Sequence, residues 1–148
     1  MLTRLRQWLE QWPGWKEKES ICVDQLGVLG GAVSLRPGGV DELGRSSNIL
    51  GGAWLHLRYT FLLDLRMEKS PGDVLGAENN AAFLLALQDW VNAESAAGRA
   101  PCMGGENEKI RAKKGHLQQA DADGAAIYRL ELTVEQEKQY EREYYGEN

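Results

Sequence analysis

At 148 residues, with 43% hydrophobic and 26% charged side chains, the chain is long enough to bury the core of one domain and unlike a disordered sequence. A formal net charge of −5 argues against a basic groove that holds nucleic acid, but is compatible with an acidic surface past which DNA slides without sticking. No apolar run approaches the ~20 residues that span a bilayer, and residues 1–12, MLTRLRQWLEQW, lack a continuous apolar stretch and a small-residue cleavage site. A cytosolic protein with one domain over residues 1–148 is therefore expected.

Leu2, Leu5, Leu9 and Trp12 recur at intervals of three and four and predict a short helix, with Thr3 placed to cap it and Pro13-Gly14 to end it. Its shortness and its acid, Glu10, favour packing on the chain's own sheet or on a sister subunit over a membrane-surface role. Ile21 to Leu26 reads as an apolar strand, and Ala32 to Arg36 as a second, closed by Pro37, Gly38 and Gly39. Gly27, Gly30 and Gly31 fit neither a dinucleotide nor a phosphate-loop spacing, and no helix pattern follows them. They read as turns between antiparallel strands. Val40 to Gly52 reads as a polar loop suited to partner contact, hinged at Gly51 and Gly52.

The stretch Ala53 to Met67 dominates the rest. Leu55, Leu57, Tyr59, Phe61, Leu63, Leu65 and Met67 alternate with a set containing His56, Arg58, Thr60, Asp64 and Arg66, a period of two that predicts one strand with an apolar face and a polar one. At ~3.3 Å per residue it runs roughly 45 Å, so it is expected to project beyond its own domain or to share its polar face with a neighbour. Glu68 to Gly76 is turn-like. Glu78 to Ala97 predicts a long helix, capped by Asn79 or Asn80, with Phe83, Ala86, Leu87, Trp90, Val91 and Ala97 as its stripe and Gly98 at its end.

Gly104 to Lys114 is charged and loop-like. Strands over Gly115–Ala122 and Ala125–Val134 are predicted, joined by a hairpin at Asp123-Gly124. In the second, Tyr128, Leu130, Leu132 and Val134 face one way and Arg129, Glu131 and Thr133 the other, which matches the long strand as a partner. Residues 134–148 read as a peripheral helix or arm. The fold class is α+β: a mixed or antiparallel β-sheet of about four to five strands with one long helix packed on it, a short N-terminal helix and a long C-terminal β-hairpin.

Chemistry finds little foothold. Cys22 and Cys102 are isolated, with no CxxC or Cys/His cluster, and are expected to be reduced and part-buried. His56 and Asp64 share a face, but eight strand residues place them ~26 Å apart. His116 has no surrounding motif, Ser46-Ser47 lacks a nucleophile elbow, and Asp121-Ala122-Asp123-Gly124 lacks the later ligands of a calcium loop. No metal, no cofactor and no enzymatic activity are expected.

The order of these features resembles a family of small minor capsid proteins of phages and prophages from Gram-positive bacteria, related to tail terminator (tail completion) proteins. The resemblance runs through Leu5-Arg6-Gln7-Trp8-Leu9 with Pro13, then Val23-Asp24-Gln25-Leu26-Gly27, Val33-Ser34-Leu35-Arg36-Pro37 and the glycine-led strand at Tyr59-Thr60-Phe61. It continues through the helix from Phe83 to Trp90 with Gly98 and Pro101, and ends at Tyr128-Arg129-Leu130-Glu131-Leu132-Thr133. Arg99-Ala100 stands where the family tends to a leucine, and Val134 with its glutamate-rich tail replaces an aromatic strand end.

The resemblance implies an α+β subunit that closes into a homo-oligomeric, usually hexameric, ring at the tail–neck junction of the virion, assembled in the host cytoplasm. Such a ring caps the tail-tube protein, stops its polymerisation and meets the head–tail connector, while DNA passes its lumen without specific binding. No membrane is involved. Ring closure leaves fewer exposed sheet edges, and the expected subunit contacts are Trp54, His56, Arg58 and Arg66 on the long strand with Gln118, Asp121 and Asp123 at the hairpin tip. Two other readings stay open: a head-closure or neck connector subunit, and a cytosolic α+β domain that binds a small ligand or peptide.

Overall fold

The structure is a computed structural model that describes residues 1–15, 20–27, 31–68, 73–120 and 124–141. Its elements are α1 (Leu2–Leu9), β1 (Cys22–Val23), β2 (Val33–Ser47), β3 (Ala53–Glu68), α2 (Val74–Ala96), β4 (Glu106–Ala120) and β5 (Ala125–Tyr140). The fold is α+β, with a single five-stranded mixed sheet in the order β1-β2-β3-β5-β4. At its centre β3 and β5 pair antiparallel without a register shift from Ala53↔Tyr140 to Glu68↔Ala125.

That pairing follows from matched alternation. Phe61, Leu63 and Leu65 of β3 stand opposite Leu132, Leu130 and Tyr128 of β5, so both strands turn their apolar residues to one side of the sheet. Both helices cover that side. Leu5, Trp8 and Leu9 of α1 and Leu84, Leu87 and Val91 of α2 close the core over it. The helices meet through aromatic rings: Trp8 lies 5.1 Å from Trp90, and Trp12 4.9 Å from Phe83, edge to face.

Several expectations need correction. The loop expected over Val40–Gly52 is mostly strand: β2 continues through Pro37 to Ser47, paired with β3 down to Ser47↔Ala53. Pro37 is tolerated because β1 covers the outer edge of β2 only at Ser34 and Leu35, so Pro37 lies on an edge where no partner needs its missing N–H. Register shifts between Pro37 and Gly39 and between Glu42 and Gly44 absorb the irregularity as bulges. The first strand is only Cys22–Val23 and pairs parallel, not antiparallel, with β2. Asp24 adopts φ 63 and turns the chain out of the sheet; it then passes the end of β3, where Gly31 N donates to Arg66 O at 2.7 Å.

The charged segment Gly104–Lys114 likewise joins a strand at Glu106. Its cations face acidic residues of β5, as in Lys113↔Glu131 and Lys109↔Glu135, so charge here marks a polar strand face and not a loop. The expected peripheral arm after Val134 begins as strand, since β5 runs to Tyr140. Asp121 and Asp123, and with them the centre of the expected hairpin turn, lie outside the described residues. Gly124 beside them has φ 86, a conformation glycine adopts without cost.

The helices differ at their ends. In α1 the N-cap is Met1, with no side-chain cap, and Thr3 lies within the helix. The helix stops at Leu9, before Pro13, and Trp12 packs back edge-on against Trp15 at 5.0 Å. α2 begins at Val74, earlier than expected, because the Asp73 carboxylate accepts from Gly76 N at 2.9 Å; Asn80 instead donates to Glu68 O at 3.1 Å. Its buried stripe is Leu84, Leu87 and Val91, with Phe83 and Trp90 partly buried, while Ala86 and Ala97 are exposed. Both cysteines are free and exposed, not part-buried, Cys22 because it sits on the outermost strand.

α2 also seals one edge of the sheet. Ser95 Oγ accepts from Ile110 N at 3.2 Å, Asn92 accepts from Ala112 N at 2.8 Å and donates to Ala112 O at 2.9 Å, and Gln88 accepts from Gly115 N at 3.0 Å. These side chains satisfy the outward backbone groups of β4 as a further strand would.

Candidate interaction surface

Among the described residues, the face of the sheet opposite the helices carries no helix. Its side chains come from the polar positions of β3 and β5, flanked by β2 and β4, and alternation places them there. Around its middle, Thr60 stands opposite Thr133, and Thr133 is buried. An ion pair lies on each side of this pair of threonines.

Toward the β2–β3 turn, Arg58 Nε and Nη2 both donate to Glu135 Oε1, at 3.2 and 2.9 Å. Burial alone would push the Glu135 carboxyl up. The hydrogen bonds from Arg58 and the positive charges of Arg58, Arg111 and His56 outweigh it and hold the carboxyl below the usual carboxylate range. Toward the other end, Arg129 Nε and Nη2 donate to the two oxygens of Asp64 at 2.8 and 3.2 Å. Arg36 Nη2 stands 3.9 Å from the same carboxylate, and the bond to Asp64 raises the Arg129 guanidinium above its ordinary value. Lys113 and Lys114 approach Glu131 at 3.7 and 3.8 Å. The result is a charged, internally paired surface.

The expected contact residues divide between the two ends of this face. Trp54, His56 and Arg58 lie on the distal half of β3, opposite Gln139, Glu137 and Glu135. Arg66 and Gln118 belong to the other end: Arg66 and Gln119, next to Gln118, both register with Ile127. The twelve-residue offset from Trp54 to Arg66 amounts to ~40 Å of strand, so no single small contact joins the two groups. Arg66 is also engaged within the chain, donating from Nε to Gly27 O at 2.8 Å. Gln118 is exposed, and its Oε1 lies 3.1 Å from His116 Nε2.

Sequence reasoning missed the exposed apolar side chains of the distal hairpin. Val40, Leu43, Ile49, Leu50 and Tyr140 are all substantially exposed there, and the core cluster stops at Phe61 on β3 and Val134 on β5. Beyond that line the distal parts of β2, β3 and β5, flanked by β4 as far as Glu106↔Glu137, form an arm in which Leu57 and Gln136 are the only buried side chains among the described residues. Only Val40 and Leu43 carried a usable signal, as apolar residues inside a stretch otherwise polar enough to read as a loop.

Among the described residues no group of three or more His, Cys, Asp or Glu side chains is placed to hold a metal ion, and no helix is long and apolar enough to cross a membrane. The open-faced α+β sheet with its projecting arm defines the class to which the chain can be assigned on structure alone. Compared with known protein families and with curated proteins, the sequence matches none.

Proposed function

We propose that the chain is a structural virion protein, the subunit of a phage or prophage tail terminator. Six copies close into a ring that caps the last ring of tail-tube protein, stops tube polymerisation and presents a surface to the head–tail connector. The reading assigns the chain an architectural role and no catalysis.

The observation that carries this proposal is the arm. On β2, every residue from Pro37 to Ser47 is exposed, a run of roughly 30 Å at 3.3 Å per residue. An isolated protein gains little by holding a long strand edge out in solvent; a subunit that extends its sheet onto neighbours gains an interface. The open charged face of the sheet and an order of sequence features that resembles that of minor capsid proteins support the same reading. A net charge of −5, repeated round a channel, lets DNA pass without adhering.

The test adds the purified chain to growing tubes of a purified phage tail-tube protein. The expected result is a cap of about 99 kDa, six times the 16.5 kDa chain, at one end of each tube, with elongation halted at stoichiometric amounts. Tubes that elongate unchanged, with no chain bound to their ends, would overturn the proposal.

A further inference from the structure

The two outer edges of the sheet are treated differently. On β4 the backbone groups of Ile110, Ala112 and Gly115 are taken by Ser95, Asn92 and Gln88. On β2 the cover ends at Leu35, whose carbonyl accepts from Asp24 N at 3.0 Å. From Pro37 to Ser47 no strand or side chain of the described residues lies along the outer edge. Val40 and Leu43 are left about half exposed on it, at 54% and 40%. An edge of this kind is a template for another strand.

We infer that the outer edge of β2, from Val40 to Ser47, pairs antiparallel with the same edge of a second copy of this chain. The occupant is indicated by self-complementarity in face and in charge. The bulge at Leu43 shifts the alternation by one residue, so Glu42 and Arg45, paired with Leu57 and Leu55, share the helix side of the sheet. Asp41 and Ser46, paired with Arg58 and Trp54, share the other. A two-fold axis between Leu43 and Gly44 sets Glu42 against Arg45 of the second copy, Asp41 against Ser46, and Val40 against Ser47, each on a common face.

In the single chain Glu42 and Arg45 already attract each other, with Arg45 Nη2 donating to Glu42 Oε1 at 2.7 Å. In the pair the two copies bring four alternating charges together on one side of a continuous sheet. Gly44 has no side chain to obstruct the Leu43 that faces it. The contact is isologous and forms a two-subunit unit from the same β2 arm that carries the terminator reading, and mass separates the two, near 33 kDa for the pair against about 99 kDa for a ring of the 16.5 kDa chain.

The arrangement is tested by reversing one charge at a time. Glu42→Arg places arginine against arginine in a self-pair, and Arg45→Glu places glutamate against glutamate; mixed one to one, each variant supplies the partner the other lacks. Native mass spectrometry and sedimentation are run from low micromolar to the highest soluble concentration, with circular dichroism as the check on folding. The wild type is expected to give a species near 33 kDa, twice the 16.5 kDa chain, that dissociates on dilution because an edge contact is small. Each variant alone is expected to associate roughly tenfold or more weakly, and the mixture to regain a one-to-one heterodimer. A wild type that stays monomeric throughout would overturn the inference. So would association that survives both reversals, or a mixture that forms no heterodimer.

Discussion

Asp64 of β3 and Arg129 of β5 stand directly opposite each other in the central strand pair, and the guanidinium reaches both carboxylate oxygens, at 2.8 and 3.2 Å. Asp64 is buried, so the pair is screened less than an ordinary surface bridge. It joins the two longest strands on the side where no helix of the described residues holds them.

Removing the carboxylate leaves Arg129 without its main partner on a half-covered face. Asp64→Ala is expected to cost about 2 kcal/mol, the range for a hydrogen bond to a charged group, and to lower Tm by roughly 4–8 °C in a chain of this size. Asp64→Asn, which keeps the shape and loses the charge, should fall between. Thermal melts at pH 7 read both; melting temperatures equal to wild type would remove this pair from the account of how β3 holds β5.

Glu135 supplies a pH dependence whose sign follows from its depressed carboxyl. Its folded-state value lies below the ordinary one, so its contribution is present above the unfolded value of about 4.3 and is lost as pH falls through the folded value. The difference in urea midpoint between wild type and Glu135→Gln is expected to be constant from pH 7 to about 5 and to shrink below about pH 4. Because Arg58 is about a third exposed on its side chain, at 35%, the effect at neutral pH should stay near 1 kcal/mol or less. A difference that grows on acidification would contradict this assignment.

The seal along β4 gives a prediction local to the backbone. Asn92→Ala removes both bonds to Ala112, and leaves a donor and an acceptor of a buried residue without partners. A loss of about 1–3 kcal/mol is expected, with amide exchange at Ile110 to Gly115 accelerated more than at Phe61 or Leu130 in the core. Uniform acceleration throughout the sheet would show that Asn92 acts on global stability and not on this edge.

What the sequence by itself determined is the part governed by short-range periodicity. The alternation of β3, the matching alternation of Tyr128, Leu130, Leu132 and Val134, and the three-and-four spacing of α1 are patterns of neighbours. They specify an α+β chain with a long strand and its partner whatever lies around them. The tertiary structure decided whatever depends on what lies across a gap. Pro37 and the glycines after it signal a break, yet β2 continues because β3 supplies a ladder on one side and nothing is needed on the other. Lys109, Arg111 and Lys113 look like loop residues until Glu131 and Glu135 of β5 stand near them. The split of the expected contact residues between two ends of the sheet, and the contrast between a sealed β4 edge and an open β2 edge, follow from strand order. Strand order is set by long-range pairing, which no local pattern encodes.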